Sequence, residues 1–87
     1  MAGLKIHATR RLLARNVKRL RDARDWSQEE LASAARMSQP EISEIERCKI
    51  STGVDILQRI AHALSVSVAA LFAEDEGRVN RREGKDA

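Results

Sequence analysis

The sequence predicts an all-α fold built around two short helices that meet at a tight turn. Two near-identical helix starts carry this prediction: Trp26-Ser27-Gln28-Glu29-Glu30-Leu31 and, eleven positions on, Met37-Ser38-Gln39-Pro40-Glu41-Ile42. In each, the serine offers an N-cap and the glutamate three residues later closes a capping box. The flanking apolar pairs, Trp26 with Leu31 and Met37 with Ile42, form hydrophobic staples. That spacing holds one helix of about two turns and a turn of a few residues. No segment shows the period-two alternation of a strand.

The remaining elements follow from helical periodicity. Residues 1–8 read as a flexible arm. From Thr9 onward, Leu12, Leu13, Val17, Leu20 and Ala23 recur at a helical period with bases on the other faces, so a first helix spans 9–24. The second helix, 28–35, buries Leu31, Ala32 and Ala35. A third follows Ser38, ends near Arg47 and buries Ile42 and Ile45. Residues 49–52 lead to a fourth helix over 53–64, with Thr52 and Asp55 as a weaker capping pair. Its inward positions are Val54, Leu57, Ile60, Ala61 and Leu64. Val66, Ser67 and Leu71 repeat the staple and open a short fifth helix, 68–73. Residues 74–87 hold a single aliphatic, Val79, too little to order a chain, and read as a disordered charged tail after a folded domain of 9–73.

Composition narrows the function classes. The chain of 87 residues makes one small domain, and its 43% apolar content permits a core, with Trp26 and Phe72 as the only aromatics. No apolar run approaches the ~18 residues of a membrane span. The amino terminus lacks a hydrophobic signal core, so a cytoplasmic location is expected. Cys48 stands alone and forms no internal disulfide, in keeping with a reducing compartment. Charge is unevenly placed: residues 1–24 carry eight bases and one acid, for +7, whereas residues 25–87 sum to −4. A basic first quarter suits a polyanion such as nucleic acid; a solvated helix face is the alternative.

Helices two and three together form a helix-turn-helix, the second of which enters the DNA major groove in proteins that use the motif. With Ile42 and Ile45 inward, Gln39, Pro40, Ser43, Glu44 and Arg47 line the outer face. A glutamine bonds adenine N6 and N7 together, discriminating by ~1–3 kcal/mol. Pro40 sits in the first turn, where its missing N–H costs little, and its ring suits a thymine methyl. Ser43 is short enough to admit close approach to the groove, or else is neutral. Glu41 is the capping partner of Ser38. Glu44 either accepts from cytosine N4 or pairs with a nearby base and repels some sequences. Phosphate contacts are assigned to Gln28, Ser38, Arg47 and Lys49, with Arg36 from the turn and Arg10 and Arg11 from the arm. The amino ends of helices two and three add backbone N–H groups.

Other features read as structural. Trp26 is a core anchor across the first turn. His7 and His62 have no Cys or carboxylate at metal-ligand spacing, so neither metal nor cofactor is expected. No nucleophile triad, P-loop or dinucleotide turn is present, which argues against an enzyme. Cys48, between Arg47 and Lys49, reads as an inert small residue at a helix end rather than a redox switch.

Four segments resemble the lambda-repressor-like (Cro/cI-type, XRE-family) DNA-binding proteins: Val17-Lys18-Arg19-Leu20-Arg21, Trp26-Ser27-Gln28-Glu29-Glu30-Leu31-Ala32, Ile42-Ser43-Glu44-Ile45-Glu46-Arg47 and Ile60-Ala61-His62-Ala63-Leu64-Ser65-Val66. The resemblance covers about residues 12–72. It implies five helices, a homodimer and a recognition helix in the major groove. By position it implies that Gln28 contacts phosphate, that Gln39, Pro40, Ser43 and Glu44 face the groove, and that Arg21 and Glu46 form a structural ion pair. The chain departs from the family where glycine is usual, carrying Asp25, Arg36, Cys48 and Ser65. A positive φ at a residue with a Cβ costs roughly 1 kcal/mol, least at Asp.

The expected function is sequence-specific transcriptional regulation, more specifically repression, by a bacterial or phage protein that binds double-stranded DNA. Ile56, Val66, Val68 and Phe72 are candidates for the dimer seam or for the monomer core. Phage-type repressor, restriction-modification controller and autoregulating antitoxin all fit, with a toxin or a polymerase as protein partner. The alternative is an interaction module on the same fold with weak nonspecific DNA affinity.

Overall fold

A computed structural model of the chain describes residues 6–49 and 52–74. Among the described residues are four α-helices, α1 (Ile6–Ala23), α2 (Gln28–Ala35), α3 (Gln39–Glu46) and α4 (Val54–Leu64), then a 3-10 helix at Val68–Phe72. No strand occurs among them, so the fold is all-α. α1 packs on α3 and the 3-10 helix, α2 on α3 and α4, and α4 on the 3-10 helix. One core joins Leu13 and Val17 of α1, Leu31, Ala32 and Ala35 of α2, Ile42 and Ile45 of α3, Ile60, Ala61 and Leu64 of α4, and Leu71. Burying each large aliphatic contributes about 1.5–3 kcal/mol, so the helical stripes read from the sequence supply most of what holds the elements together.

Several boundaries differ from expectation. α1 starts at Ile6, three residues before Thr9, so residues 6–8 of the expected arm are helical, and Arg10 and Arg11 sit within α1 rather than on an arm. The reason is local: nothing between residues 6 and 8 breaks a helix, and propagation adds one bond per residue. Residues 1–5 of that arm, and the expected tail from residue 75, lie outside the described residues. The N-cap of α4 is Gly53, with no side-chain cap bond, and not Thr52. Thr52 stands one residue outside, its Oγ1 buried without a hydrogen-bond partner. Val54, expected inward, is 75% exposed. Gly53 and Asp55 are exposed too, so the first turn of α4 stands clear of the core.

The fifth element is a 3-10 helix rather than an α-helix. Ser67 caps it by accepting from the Ala70 N–H. Asn16 Nδ2 then donates to the carbonyls of Leu71 and Ala73, at 2.9 Å each. Such helices seldom run past three or four residues, and this one, of five, ends where Asn16 captures the Leu71 carbonyl and that of the C-cap residue Ala73. Ile56, Val66, Val68 and Phe72 are all partly buried against the core.

Trp26, Met37 and Val66 are partly buried against the core that contains Leu31, Ile42 and Leu71. All four residues standing where glycine was expected take the left-handed conformation: Asp25 at φ 58°, Arg36 at 61°, Cys48 at 63° and Ser65 at 59°. Left-handed closures of this kind satisfy the last carbonyls of a helix. At the end of α2, Arg36 N–H reaches Ser33 O and Met37 N–H reaches Ala32 O. Comparable pairs close α3 through Cys48 and Lys49, and α4 through Ser65 and Val66. Turn geometry is therefore kept at a cost in backbone strain.

Candidate nucleic-acid interface

Both helix starts of the helix-turn-helix are closed by reciprocal capping boxes. Ser27 accepts from the Glu30 N–H at 3.0 Å while Glu30 accepts from the Ser27 N–H at 2.7 Å. Ser38 and Glu41 repeat this at 3.3 and 2.9 Å. The Ser38 hydroxyl also donates to Glu41 Oε1. Both donors of Ser38 are therefore committed to the cap, and the expected phosphate contact would require giving one up. Pro40 takes the first turn of α3, where no N–H is needed.

With Ile42 and Ile45 buried, α3 turns its other face outward: Pro40, Glu44, Arg47 and Lys49 are exposed, and Gln39 and Ser43 half-buried. Arg36 is exposed at the turn that precedes α3. Its carbonyl accepts from Arg59 of α4 at 3.3 Å, which ties the turn to the helix behind it.

A chain of side-chain hydrogen bonds runs through this surface into the domain. Gln39 Nε2 donates to Gln28 Oε1 at 2.7 Å, joining the first residues of α3 and α2. Gln28 Nε2 donates to Glu46 Oε1 at 3.0 Å. Glu46 in turn accepts from Arg21 Nε at 2.8 Å and Nη2 at 2.9 Å. Arg21 Nη1 donates to the Trp26 carbonyl at 2.7 Å, at the turn between α1 and α2. The Arg21 and Glu46 side chains are only 10% and 4% exposed. Hydrogen bonds donated to Glu46 raise the Arg21 guanidinium above its ordinary pKa, against the opposing pull of burial. One Nε2 hydrogen of Gln28 remains for a phosphate.

The basic first quarter is more structural than its charge suggested. Arg21 is held by Glu46. Arg24 donates to the Leu64 carbonyl at the end of α4 and lies 5.3 Å over the Trp26 ring. Lys18 pairs with Asp22 at 3.5 Å, and Arg19 donates to Asn16 Oδ1 at 3.1 Å. Cys48 is half-buried, its Sγ 3.9 Å from the Arg10 carbonyl, packed between α1 and the end of α3.

Sequence reasoning passed over Asn16, Arg24 and Arg59. Asn16 is fully buried in α1, where a polar residue on an apolar stripe is the only signal that marks it. Among the described residues, no group of His, Cys, Asp and Glu is arranged to hold a metal, and no helix is long and apolar enough to cross a membrane.

A capped helix-turn-helix whose second helix is half-buried on one side and polar on the other defines a DNA-binding class of domain. The chain belongs to the HTH_3 helix-turn-helix family, whose model matches residues 17–71. This is a non-enzymatic family of DNA-binding transcription regulators. The chain is similar to the immunity repressor protein of Bacillus phage phi105, with 29% identity over 85% of its length. It spans about half of that curated relative, 56% of its length. Among solved structures it resembles the hypothetical transcription factor NHTF from Neisseria, at TM-score 0.80 and 27% identity over 90% of each chain. It also resembles the clp gene regulator ClgR from Corynebacterium glutamicum, at TM-score 0.72 and 28% identity over 90% of this chain and 83% of the other.

Proposed function

We propose that the chain is a sequence-specific repressor that binds a palindromic operator as a homodimer in the bacterial cytoplasm. Gln39, Pro40, Ser43 and Glu44 meet base edges, and Gln28, Arg36, Arg47 and Lys49 hold phosphates. The observation that carries this reading is the outward polar face of α3 with Gln39 at its leading end, bonded to Gln28 at the leading end of α2. In that placement the Gln39 amide keeps an acceptor and a donor, the pair that adenine requires in the major groove. Likeness to a phage immunity repressor supports repression over activation and the phage-type setting over a restriction-modification controller or an antitoxin. A dimer follows from the size of the module: one recognition helix covers half a site, and two lie one DNA turn apart on a palindrome. Its seam would have to draw on what Ile56, Val66, Val68 and Phe72 still expose.

Selection of sites from a random duplex library at near-physiological salt tests the proposal. Enrichment of an inverted repeat is expected, with adenine at a fixed place in each half-site. A folded protein that enriches nothing would favour the second reading, a module that binds a protein. Glu44 is the observation behind that second reading. Glu41 is accounted for by its cap, whereas Glu44 puts an exposed negative charge on the face meant for DNA.

A further inference from the structure

The cations in the second half of α1 are answered within the domain: Lys18 by Asp22, Arg19 by Asn16 and Arg21 by Glu46. Two arginines near the entrance to α3 are not. Arg36, at the turn between α2 and α3, and Arg59, on α4, are both exposed. Among the described residues, neither pairs with a carboxylate. The fold nevertheless brings them together. Arg59 Nη1 donates to the Arg36 carbonyl at 3.3 Å, so its guanidinium lies at the turn that leads into α3. A second positive charge is thereby held beside a residue that already carries one. In water that arrangement is mildly repulsive, and a nearby anion reverses the sign.

The chemistry of the guanidinium says what that anion is. Arginine presents five N–H donors in a rigid fork. One, on Nη1, is committed to the Arg36 carbonyl, and the edge formed by Nε and Nη2 stays whole. Such an edge can meet two oxygens of one phosphate at once. The carbonyl also fixes in advance a long side chain that would otherwise lose rotamer freedom on binding.

We infer that Arg59 is a phosphate-binding residue brought to the DNA interface from outside the helix-turn-helix and held there by the carbonyl of Arg36. The inference rests on the proposed DNA reading, in which Arg36 itself holds a phosphate. Phosphates of one strand follow one another at about 3.4 Å along the duplex axis, each with a negative charge, so the two guanidiniums at the turn take one each. The contact positions α3 and carries no base preference.

The test is the salt dependence of binding to the selected duplex, for wild type, Arg59→Met and Arg59→Lys, each first shown to be folded by circular dichroism. Arg59→Met removes one cation from each protomer of the proposed dimer, so the plot of log K against log salt should flatten by about two. Arg59→Lys keeps the charge without the fork, so its slope should stay at the wild-type value while affinity falls. A residue that only braced the turn would weaken binding without changing the number of counterions released. A wild-type slope in folded Arg59→Met therefore overturns the inference, and so does an equal flattening in Arg59→Lys. If Arg59→Met does not fold, Arg59→Gln takes its place with the same expected slope. A wild type that selects no duplex overturns the DNA reading beneath the inference, an outcome visible before any variant is made.

Discussion

Asn16 donates through Nδ2 to the carbonyl of Leu71, 55 positions further along the chain, at 2.9 Å and out of contact with solvent. That bond, with its companion to Ala73, fastens the 3-10 helix to α1. Leu71 is fully buried in the core behind it. A buried carbonyl left without a donor costs about 1–3 kcal/mol; Asn16 serves the buried carbonyl of Leu71 and the part-buried one of Ala73.

Asn16→Leu should therefore destabilise the domain by about 2–4 kcal/mol, the upper part of the usual mutational range. The change should be larger than for an exposed α1 position such as Lys18→Ala. Urea denaturation followed by circular dichroism reads it directly. A midpoint within error of wild type would mean that water or a backbone shift satisfies both carbonyls.

The Arg21–Glu46 pair predicts an asymmetry between single and double replacement. Removing one partner of a buried pair strands the other charge and costs about 3–5 kcal/mol. Arg21→Ala should accordingly remove about half of the stability of so small a domain, which is of order 5–10 kcal/mol in total. Replacing both residues with apolar ones of similar volume should recover most of that loss. Melting curves of the two singles and the double would show it. Equal, mild effects for all three would place the pair in water rather than in the fold.

How much of this was legible in the sequence depended on range. α2 and α3 could be read nearly to the residue because each start is written in adjacent residues: a serine, a glutamate three on and an apolar staple. Both capping boxes formed. The start of α1 was misplaced because the apolar period becomes visible only from Thr9 onward, whereas the helix already runs from Ile6. Thr52 failed for another reason, since a hydroxyl next to Gly53 caps only if the backbone turns at its own position. Asn16 was illegible because its partners lie in a segment 55 and 57 positions away. The Gln39–Gln28 bond was likewise invisible, because it depends on the angle between two helices and not on any periodicity. In contrast, the left-handed residues could be located from resemblance alone, at the positions where glycine was missing.

Those four residues make a third prediction. A residue with a Cβ in the left-handed region is penalised by about 1–2 kcal/mol, and glycine removes the penalty while gaining freedom in the unfolded chain. Ser65→Gly is the cleanest case, because Ser65 is exposed and its N–H to the His62 carbonyl is retained. A net gain of about 0.5–1 kcal/mol is expected. Asp25→Gly should give less, since Asp tolerates this region better. Gains at these separated turns should add nearly independently. Thermal melts of the single and combined variants would reveal it, and a lower Tm for Ser65→Gly would show that its turn is not strained.

Phosphate and base contacts should separate under salt. Arg47 and Lys49 are exposed at the end of α3, and Arg36 is exposed at its entrance. No base specificity is ascribed to them. Each cation that neutralises a phosphate releases counterions, so log K falls with log salt by about 0.9 per contact on duplex DNA. Replacing Arg47 or Lys49 by alanine removes one contact from each protomer of the proposed dimer, so it should flatten that slope by about two and weaken every duplex to a similar extent. Gln39→Ala carries no charge change, so its slope should stay while preference at one base pair is lost. Arg21 offers a control: a cation locked onto Glu46 has no counterion to release at a phosphate, and any loss of binding on its replacement should track loss of folding. Titrations at several salt concentrations distinguish the three behaviours. A slope unchanged by Arg47→Ala and Lys49→Ala would move the phosphate contacts elsewhere, to the α1 bases such as exposed Arg11, and would turn a different face of the domain toward the DNA backbone.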